Sequence, residues 1–407
     1  MSAEPSIPHR STRPPANRAV GVLAALCAYT LALGGTWFGI MERPSVTLSL
    51  ILLAIMVGAW VAGRRIFNWR WHRTALDGAL VFWLIAFTLS TLANLESGAR
   101  VAVGLWFSGL YILIWFLLQD MLANGLIARG QLISGFLLAA LLPIGAGVVD
   151  WLIGAERLSG LQGNPNILGA LLVMIVPLSV GQIGAVHGRW RLATYGYLAA
   201  ALIVTLLTLS RGAWLGLLVA GGVWLYLRWP WMGGLLAATA IPLSVVLLLL
   251  RGDTGRLDLY AHALMLFGVA PLTGNGLFTF RLLDTTGTGV MHLHAHNAIL
   301  HIGAEMGIPG LVALGMTTIA VARPLLRVAG AEARWTAAAL AGVAAHQMVD
   351  FPILSPTVAL SVVLVLSAAL PTGEETAATG RTPALVLLAA ILCAIGIASG
   401  GMSDGLL

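Results

Sequence analysis

The chain of 407 residues is 59% hydrophobic and only 9% charged, with a mean hydropathy of +0.92. Soluble domains carry roughly 25% charged residues, so this composition excludes a soluble protein and indicates one that crosses a membrane several times. The net charge of +6 comes from arginine, because the sequence has no lysine. Cytoplasmic loops explain a basic balance of this kind better than nucleic acid does, and we expect no nucleic-acid partner.

Apolar stretches of about 20 residues, the length that crosses a bilayer, recur along the whole chain. The sequence predicts an all-α polytopic membrane protein with about 12–13 transmembrane helices and one larger outer-face loop. Thirteen stretches are candidates, at residues 19–41, 46–62, 76–93, 101–118, 131–149, 167–186, 192–209, 212–227, 232–250, 298–321, 335–349, 354–370 and 383–401.

The arginines predict how these helices are oriented. With the N-terminus inside, the inner segments hold 15 arginines and the outer loops hold seven, which is the bias of a cytoplasmic N-terminus. Residues 1–18 are then a disordered cytoplasmic tail and residues 19–250 carry helices 1–9. Residues 251–297 form the outer-face loop, and residues 298–407 hold the remaining helices.

The outer-face loop is the one long polar segment of the chain. Apolar residues at positions 257, 260, 264 and 267 have helical spacing, which predicts a short amphipathic helix on the membrane surface. Pro271, Gly274 and Gly276 end that helix. The loop and the start of the next span hold five of the nine histidines.

Two arginines and one aspartate stand out, because placing a charged side chain in or near the membrane costs free energy. Arg211 lies between two apolar runs, where an arginine costs roughly 2.5–3.5 kcal/mol if it is deep in the membrane. It either snorkels to lipid headgroups or binds an anion such as phosphate, and Gly212 would let a neighbour approach closely. Arg256 is the second anion candidate, and Asp350 is placed to orient either arginine.

The histidine row allows two kinds of chemistry. His292, His294 and His296 alternate, so on an extended strand they would share one face, and three imidazoles on one face could bind zinc. No acidic or cysteine ligand has metal-site spacing, so we expect no metal and no cofactor. Alternatively, one imidazole acts as a general base, and His296 is best placed because Asn297 can cap the following helix.

Further polar residues are assigned supporting or binding roles. Glu305 lies nine positions after His296, on nearly the opposite face of a helix, and shares a face with His301 four residues earlier. We therefore predict a structural His301–Glu305 pair. Asn164 and Asn166 begin the sixth span on the outer face, and Asn166 can cap that helix.

Four segments, in this order, resemble the O-antigen ligase and polymerase superfamily. The first two are Gly-Asn-Pro-Asn-Ile-Leu-Gly at 163–169 and Leu-Ser-Arg-Gly-Ala-Trp at 209–214. The third is Arg256 followed by Pro-Leu-Thr-Gly-Asn-Gly-Leu-Phe-Thr-Phe at 271–280. The most specific is His-Ala-His-Asn-Ala-Ile-Leu-His-Ile-Gly-Ala-Glu-Met-Gly-Ile-Pro-Gly at 294–310. The resemblance covers about residues 150–355.

The resemblance implies a metal-independent glycosyltransferase of the bacterial cytoplasmic membrane with its active site on the periplasmic face. The donor would be a glycan on undecaprenyl pyrophosphate. The acceptor would be lipid A-core in a ligase, a growing glycan in a polymerase or a protein in an oligosaccharyltransferase, and the compact outer-face loop argues against the last. His296 would be the base, Arg211 and Arg256 would bind the diphosphate, and Asn297, His294, Asn164 and Asn166 would contact substrate. The superfamily commonly has about a dozen spans, one fewer than predicted here, so either residues 383–401 are an extra span or one of the other predicted spans is wrong.

A transporter or flippase for lipid-linked sugars is the alternative of another class. It would need charged residues along a path through several spans. The sequence instead gathers its polar groups at one face of the membrane, which favours an enzyme.

Overall fold

The computed structural model describes residues 71–233, 256–283, 291–328 and 330–376, together with residues 55, 58, 60 and 61. These residues are mostly helical, and the protein is an all-α polytopic membrane protein. The predicted tail at 1–18 and the spans at 19–41, 46–62, 232–250 and 383–401 lie wholly or almost wholly outside the described residues.

The observed helices follow the predicted spans closely. Between residues 71 and 376 they are α1 (Asp77–Ala93), α2 (Gly98–Ala123), α3 (Arg129–Ala139), α4 (Leu141–Leu152), α5 (Pro165–Gln182), α6 (Gly188–Leu207), α7 (Arg211–Arg228), α8 (Arg256–Val269), α9 (Ala298–Leu325), α10 (Ala331–His346) and α11 (Pro356–Ala369). Helix α8 is the predicted surface helix. The predicted span 131–149 is divided into α3 and α4, which meet at Ala140.

Among the described residues, four helical segments are long and apolar enough to cross a membrane. They are Arg129–Leu152, α5, α6 and α9. Helix α5 is the centre of the core, because its residues 168–179 are all buried. A helix that is apolar on every face belongs in such an interior position.

Helices α7 and α10 pack against each other through glycine. A Cβ atom at Gly216 would lie 2.8 Å from the carbonyl oxygen of Gly342, and one at Gly342 would lie 2.7 Å from that of Gly216. Small residues let membrane helices approach this closely. This packing holds the start of α7 firmly against the end of α10.

The helix ends form two groups, as the predicted alternation of inside and outside loops requires. At one end, called here the site end, Asn94 Nδ2 donates to the carbonyl of Gly274 at 3.1 Å and Ala298 N donates to that of Gln347 at 2.9 Å. At the opposite end, Gln182 Nε2 donates to Glu332 Oε1 at 3.0 Å. The turns that these site-end contacts join were all predicted to lie on the outer face.

Four short strands were not predicted. Strand β1 (Trp71–Thr74) pairs antiparallel with β4 (Thr372–Thr376), and β2 (Leu282–Leu283) pairs with β3 (Met291–His292). Strand β4 lies in a segment that the sequence pattern did not assign to any strand. Pairing with β1 satisfies backbone groups of both segments, which sequence periodicity alone does not reveal.

Helix α9 is kinked at Gly307. Gly307 has φ 62° and ψ −156° inside the helix, a conformation that favours glycine. The Ile308 N–H donates instead to the carbonyl of Pro271 at 2.7 Å. A Cβ at Gly307 would lie 2.5 Å from that same oxygen, so the loop at 271–280 packs directly against the kink.

Candidate active site

A histidine–aspartate pair lies at the site end. His296 Nδ1 is 2.6 Å from Asp350 Oδ1, although the residues are 54 positions apart. His296 precedes α9 and Asp350 follows α10. Oδ1 also accepts the Phe351 N–H at 2.8 Å. Because an ionised carboxylate only accepts, Nδ1 carries the proton and Nε2 is left as the acceptor nitrogen. The pair has the geometry of a base and the group that orients it.

Asn297 fixes the start of α9 beside this pair. Its side-chain oxygen accepts the Leu300 N–H at 3.0 Å, as the predicted N-cap should. Its Nδ2 donates to the carbonyl of Met348 at 2.8 Å. The amide of Asn297 therefore joins the segment of His296 to the segment of Asp350, and its role is at least structural.

The other two histidines of the row lie close by, but not as an extended strand. Strand β3 ends at His292, and His296 has φ 51°. The segment is therefore not one extended strand, because its backbone bends at His294 and His296. The rings of His294 and His296 nevertheless have centroids 4.2 Å apart, and those of His292 and His296 are 6.0 Å apart. His294 Nε2 is 3.6 Å from Asp350 Oδ1.

The histidines keep the carboxylate ionised. Burial alone would raise the pKa of Asp350, but its contacts with His294 and His296 lower that pKa well below its usual range. Burial lowers the pKa of His294, and this effect outweighs the attraction of Asp350. At neutral pH, Asp350 is thus a carboxylate and His294 is a neutral imidazole.

Arg211 begins α7 and is tied to the pair through His346. Ser210 is the N-cap, and its hydroxyl accepts a backbone N–H of the first turn. The ring of His346 fills the space at Gly212, where a Cβ would lie 2.3 Å from its Cδ2 and 2.4 Å from its Nε2. The carbonyl of His346 accepts the Asp350 N–H at 3.0 Å. The close approach predicted for Gly212 is thus made by His346.

Arg256 begins α8 and acts on the same region electrostatically. Burial raises the pKa of Tyr260, while the charge of Arg256 lowers it and that of Asp350 raises it. One hydroxyl is therefore within the field of both charged groups. Oδ1 of Asp350 is held by His296 and the Phe351 N–H, and the orienting of an arginine by Asp350 stays a prediction.

His301 and Glu305 form the buried pair that their spacing predicted. His301 Nε2 lies 3.4 Å from Glu305 Oε2, and both side chains are almost completely buried. Glu305 Oε1 accepts the N–H of Phe280 at 3.1 Å, which anchors the end of the loop at 271–280. Ser90 on α1 donates to the carbonyl of Glu305 at 2.8 Å. Through these contacts Glu305 holds the loop at 271–280 in place.

At the start of α5, the cap is Asn164 rather than Asn166. The Asn164 side chain accepts the Asn166 N–H at 2.8 Å. Pro165 occupies the first turn, where its missing N–H costs nothing, so the cap precedes it. Farther along the helix, a Cβ at Gly169 would lie 3.1 Å from that of Ser210. Asn164 is exposed at the site end, on the helix that supports the start of α7.

Backbone strain is concentrated at this end. Among the described residues other than glycine, Leu209, Phe278 and His296 have positive φ, at 52°, 58° and 51°. Such conformations cost about 1–3 kcal/mol each and cluster at functional sites. Leu209 precedes the turn of Arg211, and Phe278 lies in the loop seated at the kink of α9.

Sequence reasoning did not assign a role to His346. It is completely buried, and within the described part of the chain its ring nitrogens have no hydrogen-bond partner. A signal was present, because His346 lies four residues before Asp350. Nothing in the sequence, however, places it against Gly212.

The fold and this site define a class of protein. It is a multi-pass helical membrane protein with a His–Asp pair and two helix-start arginines at one end. Residues 196–315 match a protein-family model described as O-antigen ligase. The match supports membership of the O-antigen ligase superfamily, whose members are glycosyltransferases of the ligase and polymerase type. The matched residues include Arg211, Arg256 and His296 and end before Asp350. A search of curated proteins gave no match.

Proposed function

We propose that this protein moves a glycan from undecaprenyl pyrophosphate to a hydroxyl of lipid A-core, as an O-antigen ligase on the periplasmic face of the cytoplasmic membrane. The observation that carries the proposal is the 2.6 Å contact between His296 and Asp350. A general base needs a neighbour that fixes its tautomer and orientation, and acceptor activation is the step at which a hydroxyl needs a base. No metal or cofactor is required for this chemistry.

In the proposed reaction, Nε2 of His296 takes the proton of the acceptor hydroxyl as its oxygen attacks the anomeric carbon. Asp350 accepts the Nδ1 proton in a hydrogen bond and stabilises the imidazolium that forms. The glycan's bond to the diphosphate breaks as the new bond to the acceptor oxygen forms. Attack opposite the leaving group inverts the anomeric centre.

The two arginines act on the leaving group. Undecaprenyl diphosphate gains negative charge as the sugar departs, and fixed guanidinium groups stabilise that charge. Arg211 stands at the N-terminus of α7, where the backbone also favours anions, and Arg256 is the first described residue of α8. Asn164, Asn166, Asn297 and His294 are proposed to contact the substrates.

A transporter fits the described residues less well. Their buried ionisable side chains at the site end are His301, Glu305, His346 and Asp350, whereas Asp120 is buried at the opposite end and accepts the indole N–H of Trp60 at 2.9 Å. A translocation path would need such groups at intermediate depths.

Reconstitution tests the function. The purified chain in proteoliposomes, given an undecaprenyl-diphosphate glycan and lipid A-core, should yield glycosylated lipid A-core, detected by mass spectrometry, and should do so in the presence of EDTA. His296→Ala and Arg211→Ala should each abolish transfer without preventing membrane insertion. His187→Ala, exposed at the opposite end, is the matched control.

Near-normal transfer by either site variant would refute the site. A product with longer glycans on the lipid carrier, and unmodified lipid A-core, would identify a polymerase instead. Glycan movement across the bilayer without any new glycosidic bond would support the transporter.

A further inference from the structure

We propose that His294, His296 and Asp350 bind a divalent transition-metal ion of the zinc class, and that the bound ion inhibits transfer. One donor atom from each residue lies within 4.8 Å of the others. The sequence argued against zinc because no acidic ligand had suitable spacing. The fold supplies that ligand from the far end of α10.

The distances between the donor atoms suit a small ion. Zinc binds imidazole nitrogen and carboxylate oxygen at about 2.0–2.2 Å with tetrahedral geometry, which places neighbouring donors about 3.3 Å apart. The His294 Nε2–Asp350 Oδ1 distance is 3.6 Å and the His296 Nδ1–Asp350 Oδ1 distance is 2.6 Å. When an ion binds, the distance of 2.6 Å must widen and that of 3.6 Å must shorten slightly, which rotation of the side chains permits.

The site is open to an ion but well supported. The side chains of His294 and His296 are 31% and 19% exposed, whereas Asp350 is only 6% exposed. The Phe351 N–H orients the carboxylate, which is a typical outer-sphere contact of metal ligands. Two imidazoles and one carboxylate leave a fourth position, which water or His292 can fill.

Inhibition follows from the nitrogen that the ion would occupy, and this part rests on the proposed function. A metal bound to Nδ1 of His296 replaces the proton that Asp350 now accepts. The proton of a neutral imidazole must then lie on Nε2. Nε2 becomes a donor and can no longer take the proton of the acceptor hydroxyl. Metal binding and base catalysis therefore exclude each other at this residue.

The test begins with binding alone, so it does not depend on transferase activity. Zn²⁺ is titrated calorimetrically into the purified full-length chain in detergent, and Co²⁺ serves as a spectroscopic probe of tetrahedral nitrogen and oxygen ligation. His294→Ala and Asp350→Asn should weaken binding by more than the roughly 10- to 100-fold that outer-sphere changes cost. His187→Ala should bind as the unmodified chain does. His294→Cys should retain binding, because a thiolate also ligates zinc.

Equal affinity in the unmodified chain and in both His294→Ala and Asp350→Asn would overturn the site, as would no binding by the unmodified chain. In the transfer assay, Zn²⁺ should inhibit and EDTA should restore the rate. Transfer that is lost in EDTA and regained with Zn²⁺ would overturn the inhibitory role. A chain that binds zinc at these residues but transfers no glycan would leave the site intact and refute the proposed function.

Discussion

At the scale of single residues, the site depends on one carboxylate that serves several partners. Asp350 accepts hydrogen bonds from His296 and the Phe351 N–H while lying within 3.6 Å of His294. His296 keeps its strained φ of 51° because Asp350 holds its ring and Asn297 caps the following helix. Because Nδ1 of His296 contacts the carboxylate, Nε2 on the other side of the ring points away from it.

Replacing Asp350 with asparagine should lower kcat far more than it changes KM for the lipid-linked donor. The amide no longer fixes the Nδ1–H tautomer of His296, and loss of general base catalysis costs about 10²- to 10⁴-fold. The two arginines that are proposed to bind the donor are unchanged. Steady-state kinetics in proteoliposomes measures both constants. Asp258→Asn, at an exposed carboxylate on α8, is the control; an unchanged kcat in Asp350→Asn would contradict the role.

The ionised state of Asp350 also predicts a pH dependence of stability. Its folded-state pKa is lowered from the ordinary 3.8, so its stabilising contribution is complete above that value and is lost as the pH falls from there towards the folded pKa. The difference in Tm between the unmodified chain and Asp350→Asn should stay constant from about pH 5 to about pH 8 and shrink below about pH 4. Thermal unfolding in detergent measures it. A difference that grows at low pH would contradict the assigned sign.

At the scale of elements, the site is built where helices begin and end. Helices α7, α8 and α9 begin at Arg211, Arg256 and Ala298, and α10 ends at His346 just before Asp350. Close packing of α7 on α10 fixes the position of Arg211 relative to Asp350. The contact between Gly212 and His346 is the one nearest to the proposed chemistry.

Gly212→Ala should therefore destabilise the site. The new Cβ would overlap the ring of His346, and overpacking of this kind costs typically about 1–3 kcal/mol. We expect a lower Tm and a lower transfer rate, since either α7 or the segment before Asp350 must move. Gly221→Ala, on the same helix with nothing within 4 Å of the added Cβ, should leave both unchanged or raise the Tm. The same Tm for both variants would contradict the packing.

At the scale of the whole molecule, the helix bundle separates two ends. The described contacts gather the His–Asp pair, the arginine turns and the loop at 271–280 at the site end, whereas Glu332, Gln182 and the β1–β4 pair lie at the other. That the site end faces the periplasm is a prediction from the distribution of arginine.

Labelling of single cysteines tests this orientation. In a background with Cys27 and Cys393 replaced by serine, Glu156→Cys should react with a membrane-impermeant maleimide in intact spheroplasts. His187→Cys should react only after permeabilisation. Both positions are exposed, so accessibility within the protein does not differ between them. The reverse pattern would place the site end in the cytoplasm and contradict the proposed periplasmic reaction.

The sequence alone determined the features that depend on local pattern. Apolar length predicts the described helices between residues 76 and 227 and between residues 298 and 370, because a bilayer imposes both the length and the hydropathy of a span. Local spacing likewise predicts the cap at Asn297 and the His301–Glu305 pair. The sequence also singled out Arg211 as a residue whose burial in a membrane costs free energy, and Arg211 lies at the site end.

Only the tertiary structure decided which residues meet. His296 and Asp350 are 54 positions apart, with α9 and α10 between them. No sequence periodicity predicts that the start of α9 lies beside the end of α10. The same holds for His346 at Gly212 and for the carboxylate that completes the proposed zinc site. Sequence pattern reports which face of an element is apolar, whereas the partners of buried polar groups depend on how the helices pack, and in this protein that packing assembles the site.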